Sequence, residues 1–344
     1  MPKKILVTGG AGYIGSHTTV ELQEAGYEVV VIDNLSNSTD KIVRQIGKIT
    51  GLLPRFYKTD LCDKPGLQRV FQENPDLAGV IHFAAYKAVG ESVEYPLKYY
   101  HNNLVSLINL LEVMKEFKVD NMVFSSSCTV YGQPDTLPVT EQSPIKKAFS
   151  PYGNTKQISE EILADTSTVS DLKVISLRYF NPIGAHESAL IGELPIGVPN
   201  NLVPLITQTA IGIRPKLLVF GKDYNTPDGT CIRDYIHVVD LAKAHVVAIS
   251  RMLQEKMEQN FESFNLGTGK GTSVMEAING FEKATGRKLN YEITQRRPGD
   301  VEQVWADTSL ANLKLGWKAQ KGIEDMMMSA WKWELNLKSG ILEK

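Results

Sequence analysis

The sequence predicts an α/β protein: a doubly wound parallel sheet with a smaller α/β lobe appended. Three observations carry this reading. In the first half, short apolar runs rich in Val and Ile alternate with helical stretches, the pattern of parallel strands joined by helical crossovers. The opening run KKILVTGGAGYIGSH places Gly9, Gly12 and Gly15 between a strand and a helix. Beyond about residue 181 the texture changes, and Pro182, Gly184, Gly192, Pro195, Gly197, Pro199 and Pro204 punctuate a loop-rich stretch.

The elements follow in order. Residues 5–7 form an apolar strand, 17–25 a helix that stops at Gly26, and 29–33 a second strand ending in Asp33. Further strands are expected at 55–57, 80–83, 122–126 and 174–178, with helices at 67–73, 103–117 and 155–164. The later part reads as shorter elements at 217–220, 235–238 and 263–266, with helices at 241–251 and 274–285. The expected division is 1–180 for the first domain, rejoined by about 233–255, and 181–344 mainly for a smaller lobe that binds substrate and closes over the cofactor.

Strand, glycine turn, helix, strand and acid make the dinucleotide fingerprint of a Rossmann-type sheet, with Asp33 about 20 residues beyond the glycines. The turn Gly9 to Gly15, including Tyr13 and Ile14, lets backbone N–H groups approach a pyrophosphate, and the helix N-terminus favours its charge. Asp33 accepts from ribose hydroxyls and repels a 2′-phosphate. Asn34, Leu35 and Ser36 supply no compensating cation, so the cofactor is read as NAD rather than NADP. In such a sheet ligands bind beyond the C-terminal strand ends, where Asp60, Phe83, Ala84, Ala85, Ser125–Ser127, Tyr179 and Asn181 lie.

Composition bounds the alternatives. The chain has 344 residues, 42% of them apolar, and a formal net charge of −2, which supports a sizeable core and argues against binding nucleic acid or a membrane surface by bulk charge. Cys62, Cys128 and Cys231 lack metal or redox spacing, the six histidines form no ligand motif, and no metal is expected. A cytoplasmic protein without leader or membrane span is expected.

The run Ser150-Pro151-Tyr152-Gly153-Asn154-Thr155-Lys156 is the second strong feature. Ser150 suits an N-cap and Pro151 the first helical position. Tyr152 and Lys156 then share one helical face. A tyrosine serves as base near neutrality only if a lysine ammonium and an oxidised nicotinamide favour its phenolate. Moving its pKa from about 10 to about 7 takes roughly 4 kcal/mol. With 13 tyrosines, about one Tyr-x-x-x-Lys arises by chance, and Tyr152 is the single instance. Its setting after a strand ending in serines favours catalysis, with Ser127 bonding the same substrate hydroxyl.

Taken together, TGGAGYIG, Asp33, SSSCTVYG and YGNTK resemble the extended short-chain dehydrogenase/reductase family. NNLVSLINLLE, RYFNPIGAH, LPIGVPNNLVP, DGTCIRDYIHVVDLA and RRPGD resemble, more narrowly, its UDP-glucose 4-epimerase branch, over about residues 4–333. The resemblance implies an isomerase of carbohydrate metabolism. Tyr152, Lys156 and Ser127 match its catalytic residues, and NAD stays bound while a transient 4-keto sugar is formed and reduced on its other face. Phe83, Lys87, Asp60, Leu61, Asn37, Ser38 and Asn102 match cofactor contacts, with Ala84, Ala85, Asn34 and Tyr179 beside them. Asn181, Asn200, Asn201, Leu202, Leu218, Phe220, Arg233, Arg297, Asp300 and Val304 match the UDP-sugar site, which Lys87, Ser127 and Tyr152 also border. Arg233 and Arg297 suit a diphosphate fork, and Phe220 a uracil face. Val304 matches a gatekeeper beside the sugar 2-position; its small size implies use of N-acetylated UDP-sugars as well. A homodimer through helices 103–117 and 155–164 is implied too.

Two rivals are weighed. A nucleotide-sugar 4,6-dehydratase or decarboxylase needs an extra acid and base after the catalytic serine, where Cys128 and Thr129 stand. A non-catalytic NAD-binding module would lack the tyrosine or the lysine.

Overall fold

The computed structural model describes residues 2–297 and 301–343. The chain divides into two compact units: Met1–Gln133, Pro144–Tyr179 and Ala242–Phe264 in the first, and Pro134–Ser143, Phe180–Leu241 and Asn265–Lys344 in the second.

The first unit alternates strands and helices. These are β1 (Lys4–Thr8), α1 (Tyr13–Glu24), β2 (Glu28–Asp33), α2 (Lys41–Thr50), β3 (Arg55–Lys58), α3 (Lys64–Gln72) and β4 (Leu77–His82). Next come α4 (Val89–Glu94), α5 (Pro96–Tyr100), a π-helical turn His101–Val105, α6 (Ser106–Glu116), β5 (Asn121–Ser127), α7 (Pro151–Thr168) and β6 (Lys173–Tyr179). The sheet runs β3-β2-β1-β4-β5-β6 with parallel pairing throughout, plus a seventh strand beyond β6. Such strands are covered on both faces, hence the continuous apolar runs. Leu6, Val30, Val80, Met122 and Val174 pack with Leu67, Leu107, Leu110 and Leu163 of the helices in one core.

The second unit carries β7 (Asn181–Ile183), α8 (Leu202–Ala210), β8 (Leu217–Phe220), β9 (Ile232–Arg233), β10 (Tyr235–His237) and the start of α9 (Val238–Leu253). After β11 (Phe261–Leu266) it adds β12 (Thr272–Ser273), α10 (Val274–Thr285), β13 (Tyr291–Thr294), β14 (Gln303–Val304) and α11 (Ile323–Lys338). Its core joins Val203, Ile206, Val219, Ile278, Phe281 and Trp331. Small sheets β12-β9-β14, β13-β8 and β10-β7 present its loops.

Several elements differ from the sequence reading. The strand expected at 263–266 in the second lobe is β11, the seventh strand of the main sheet beside β6. The chain enters it as the Val174 amide bonds the Asn260 carbonyl at 2.7 Å. The returning segment is Ala242–Phe264 rather than 233–255. Pro134–Ser143 belongs to the second unit, because the Val139 amide bonds the Trp305 carbonyl and the Val139 carbonyl accepts from the Asp307 amide. The helix expected at 103–117 opens instead as a π-helical turn before α6.

Candidate active site

In the first unit the glycine turn is a close-packed cradle. The Gly9 amide bonds the Ile32 carbonyl at 2.7 Å and the Gly12 amide bonds the Gly9 carbonyl at 3.0 Å. A Cβ on Gly15 would lie 2.2 Å from the Gly9 carbonyl oxygen, and one on Gly9, at φ +70°, 2.8 Å from the Ala84 amide. Gly12 caps α1 without a side-chain acceptor, and a helix N-terminus of this kind suits an anionic ligand. Tyr13 and Ile14 begin the helix.

Asp33 ends β2 as a buried carboxylate. Its Oδ2 accepts from the Ala11 amide at 3.1 Å, and its Oδ1 from the Leu35 amide and the Ser38 hydroxyl, both at 2.8 Å. Asn34 donates to Asp60 at 3.0 Å, and the Cys62 amide donates to the same carboxylate at 2.8 Å. Burial would raise the Asp60 pKa, but these bonds hold it below its ordinary value. Leu61 is buried beneath, while Asn37 is exposed. An uncapped helix start, a turn that admits no Cβ and an acid at the second strand end fit a dinucleotide.

The reactive cluster sits at the ends of β5 and β6. Ser127 pairs in register with Tyr179, and the Ser125 hydroxyl bonds the Tyr179 phenol. Ser150 caps α7, accepting from the Gly153 amide at 3.2 Å, with Pro151 in the first turn, as read from the sequence. Tyr152 and Lys156 then lie on successive turns. Lys156 is buried, its Nζ donating to the Ser125 carbonyl at 2.6 Å and lying 4.7 Å from the Phe124 ring centroid. Burial lowers its pKa to about 8, against the pull of Glu160. Tyr152 is partly exposed as a residue. Burial pushes its pKa above the ordinary value, Tyr179 adds to this, and the Ser127 hydroxyl opposes it. Burial likewise raises Tyr179 to about 12. The chain's own groups therefore keep Tyr152 protonated at neutral pH.

Three groups behind the cluster escaped the sequence reading. Asn103 is buried and uses its whole carboxamide. Oδ1 accepts from the Tyr86 and Asn102 groups, both at 2.9 Å, and Nδ2 donates to the Tyr86 carbonyl and the Thr155 hydroxyl, both at 3.1 Å. It ties the strand-end loop of Phe83, Ala84, Ala85 and exposed Lys87 to the helix of Tyr152. The Asn-Asn doublet opening NNLVSLINLLE was the available signal. His82, buried against the Thr8 hydroxyl at 2.8 Å, is pushed down to about 3 by burial and the Lys156 charge. Glu160 and Arg178 form a buried ion pair at 2.6 Å.

The second unit brings five of its expected residues together in two groups. In β12-β9-β14, Arg233 pairs in register with Val304. In β13-β8, exposed Leu218 lies two residues before Phe220, and the Arg297 guanidinium lies 5.8 Å from the Phe220 ring centroid. Arg233 donates to the Ile232 carbonyl at 2.9 Å. Asn181 in β7 bonds the Asp234 carbonyl through its amide, and exposed Asn201 donates to Glu193 at 2.6 Å. Asn200 is exposed, Leu202 starts α8, and Asp300 lies outside the described residues. Asp234, also missed, is fully buried beside Arg233. It accepts from the Thr268 amide and hydroxyl at 2.8 and 2.7 Å, and from the Gly269 and Ala306 amides at 3.1 and 3.2 Å.

Comparison with known proteins identifies the family. A family model described as GDP-mannose 4,6 dehydratase matches residues 6–330. UDP-glucose 4-epimerase 2 of Arabidopsis thaliana is 52% identical over 98% of this chain and 96% of its own length. The chain belongs to the UDP-glucose 4-epimerase family. UDP-glucose 4-epimerase of Bacillus subtilis is 51% identical over 96% of each chain. The crystal structure of the epimerase from Stenotrophomonas maltophila, with bound NAD and formylated UDP-arabinopyranose, superposes with a TM-score of 0.95 at 48% identity, covering 98% of this chain and 99% of that one. The Rossmann-type sheet read from the sequence is the one such family members share.

Proposed function

We propose that this chain is an NAD-dependent UDP-glucose 4-epimerase, an isomerase that interconverts UDP-galactose and UDP-glucose. The reading rests on near-full-length identity of 52% to a curated epimerase. Supporting it, Lys156 is anchored one turn beyond Tyr152 at the end of the strand that carries Ser127. The first unit binds NAD through the Gly9–Gly15 turn, Asp33 and Asp60; the second binds the UDP-sugar. NAD, when bound, supplies the acceptor and donor of the C4 hydride, and its positive ring supplies the charge that the protein lacks for a Tyr152 phenolate.

The residues do the rest. Tyr152 Oη takes the proton of the sugar 4-hydroxyl and later returns it. Ser127 Oγ holds that hydroxyl in line, and the Lys156 ammonium favours the phenolate. Arg233 and Arg297 hold the diphosphate and Phe220 covers the uracil, so the 4-keto sugar can turn and present its other face without leaving. Val304 leaves room at the sugar 2-position, which supports turnover of UDP-N-acetylglucosamine and its galacto epimer. The homodimer pairs helices 103–117 and 155–164, and exposed Ile108 on α6 supports that surface. No helix among the described residues is long and apolar enough to cross a membrane. Cys62, Cys128 and Cys231 form no disulfide, which supports placement in the cytoplasm.

The test incubates purified protein, without added NAD, with UDP-galactose or UDP-N-acetylglucosamine and resolves products by NMR. UDP-glucose without net NADH is expected, and Tyr152→Phe should abolish it. A 6-deoxy-4-keto product would place the chain with the dehydratases instead.

A further inference from the structure

We infer that Glu160 is the positioning residue of the Tyr152–Lys156 pair: its carboxylate locks the helix that carries them to the strand ends that carry Ser127 and Tyr179. The inference rests on the reading of Tyr152 and Lys156 as the proton-transfer pair. Glu160 follows Lys156 by four residues, on the same helical face one turn further along α7.

Its carboxylate gathers donors from both strands. Oε1 accepts from the Ser126 hydroxyl of β5 at 2.6 Å, the Ser176 hydroxyl of β6 at 2.7 Å and Arg178 Nε at 3.0 Å, while Oε2 accepts from Arg178 Nη2 at 2.6 Å. Ser126 immediately precedes Ser127, and Arg178 immediately precedes Tyr179. Side chains alternate along a strand, so Ser126, Ser176 and Arg178 share the face that meets Glu160, and Ser127 and Tyr179 are the next residues along each strand. Arg178 spends its remaining Nη1 on the Tyr131 phenol at 3.0 Å. Both side chains of the pair are only 6% exposed, so this is no solvated surface bridge.

A buried ion pair is a poor device for stability alone, since apolar residues of like volume often serve as well. What it does offer is a fixed register and a charge at a fixed place. The charge faces Lys156, whose Nζ is buried on the Ser125 carbonyl. Around this turn stand Tyr152 on α7, Tyr179 and Arg178 on β6, His82 on β4, and Cys128 and Tyr131 in the 3-10 turn after β5. Tyr152, Tyr179 and His82 are neutral near pH 7, and Arg178 is spent on Glu160. The Glu160 carboxylate is the group that opposes burial in keeping Lys156 protonated.

The experiment compares Glu160→Gln, Glu160→Asp, the double variant E160Q/R178M and Tyr152→Phe with wild type. It reads bound NAD by absorbance, KM for UDP-galactose, and kcat from pH 6 to 10. E160Q should retain NAD and KM within about twofold, while the alkaline limb of kcat moves about one unit to lower pH. E160D keeps the charge on a shorter stem, so the limb stays at the wild-type position with kcat reduced. E160Q/R178M leaves no unpaired buried guanidinium, so it folds even if E160Q does not; its limb moves in the same direction by less. A wild-type limb in both E160Q and E160Q/R178M, or an E160D limb displaced as far as that of E160Q, overturns the inference while an inactive Y152F leaves the catalytic reading standing. An active Y152F overturns both.

Discussion

Replacing Asp234 by Asn tests whether the second unit depends on one buried carboxylate. Asp234 takes two donors on Oδ1, from Thr268, and two on Oδ2, from the Gly269 and Ala306 amides. An Asn oxygen keeps the two shorter Thr268 bonds. Its NH2 group then meets two amide donors that have no other acceptor in that geometry. Two hydrogen bonds to a charged acceptor are lost, at about 1.5–3 kcal/mol each. Part is recovered because burial penalises the charge that the substitution removes, a penalty visible in the raised Asp234 pKa. The net expectation is about 2–4 kcal/mol of destabilisation. The Ala306 amide follows β14, whose Val304 pairs with Arg233, so the KM for UDP-galactose should rise by about tenfold or more as Arg233 loses its frame. All four donors belong to the second unit, so bound NAD should stay stoichiometric. Gly267→Ala should reproduce the defect, since its Cβ would lie 2.3 Å from Asp234 Oδ2. Urea unfolding and steady-state kinetics read both effects. A D234N protein with wild-type unfolding midpoint and KM would refute the reasoning.

Gly15→Ala should lose bound NAD and cost more than the ~1–3 kcal/mol of ordinary overpacking, because its Cβ meets backbone atoms that cannot swing aside; absorbance of the purified protein and its Tm check this. Val304→Tyr should abolish turnover of UDP-N-acetylglucosamine while keeping that of UDP-galactose within about threefold, read by NMR of both reactions; equal exclusion of the N-acetyl sugar by wild type would remove Val304 from specificity. Glu334 is buried, which raises its pKa, and the Thr207 hydroxyl at 2.8 Å only partly offsets this. A raised folded-state pKa stabilises the fold at acidic pH, and that contribution is lost as pH rises through it. Glu334→Gln should therefore be more stable than wild type at pH 7–8, with the gap closing toward pH 4, in thermal melts across that range.

The first unit was legible because its signals are local. Buried parallel strands are continuous apolar runs, and Ser150-Pro151 marks the start of α7 within the very segment that carries Tyr152. Helix ends were less so. Helix α1 begins at Tyr13, not 17, because Gly15 enters it for close packing on the Gly9 carbonyl, against the usual helical preference. The second unit was hard to read because β7, β9, β12 and β14 hold only two or three residues, too few for a period to show. The placement of β11 beside β6 is a long-range pairing that no local pattern encodes.

A different physical reason hid Glu160 and Asp234. In a sequence a carboxylate reads as solvated, and nothing in its neighbours says that four donors will converge on it. Yet each lies beside an expected site residue, Glu160 one turn after Lys156 and Asp234 next to Arg233, and each draws donors from separate segments of chain. Apolar packing alone would hold these segments with some slack, because its attraction changes little over a few tenths of an ångström. A hydrogen bond to a charged oxygen has a narrow range of length and angle, and a buried one left unmade is costly. Displacing a reacting group by about 1 Å can cost about a hundredfold in rate. The groups that would touch ligand were visible as motifs; the carboxylates that set their positions become visible only once burial has removed their water.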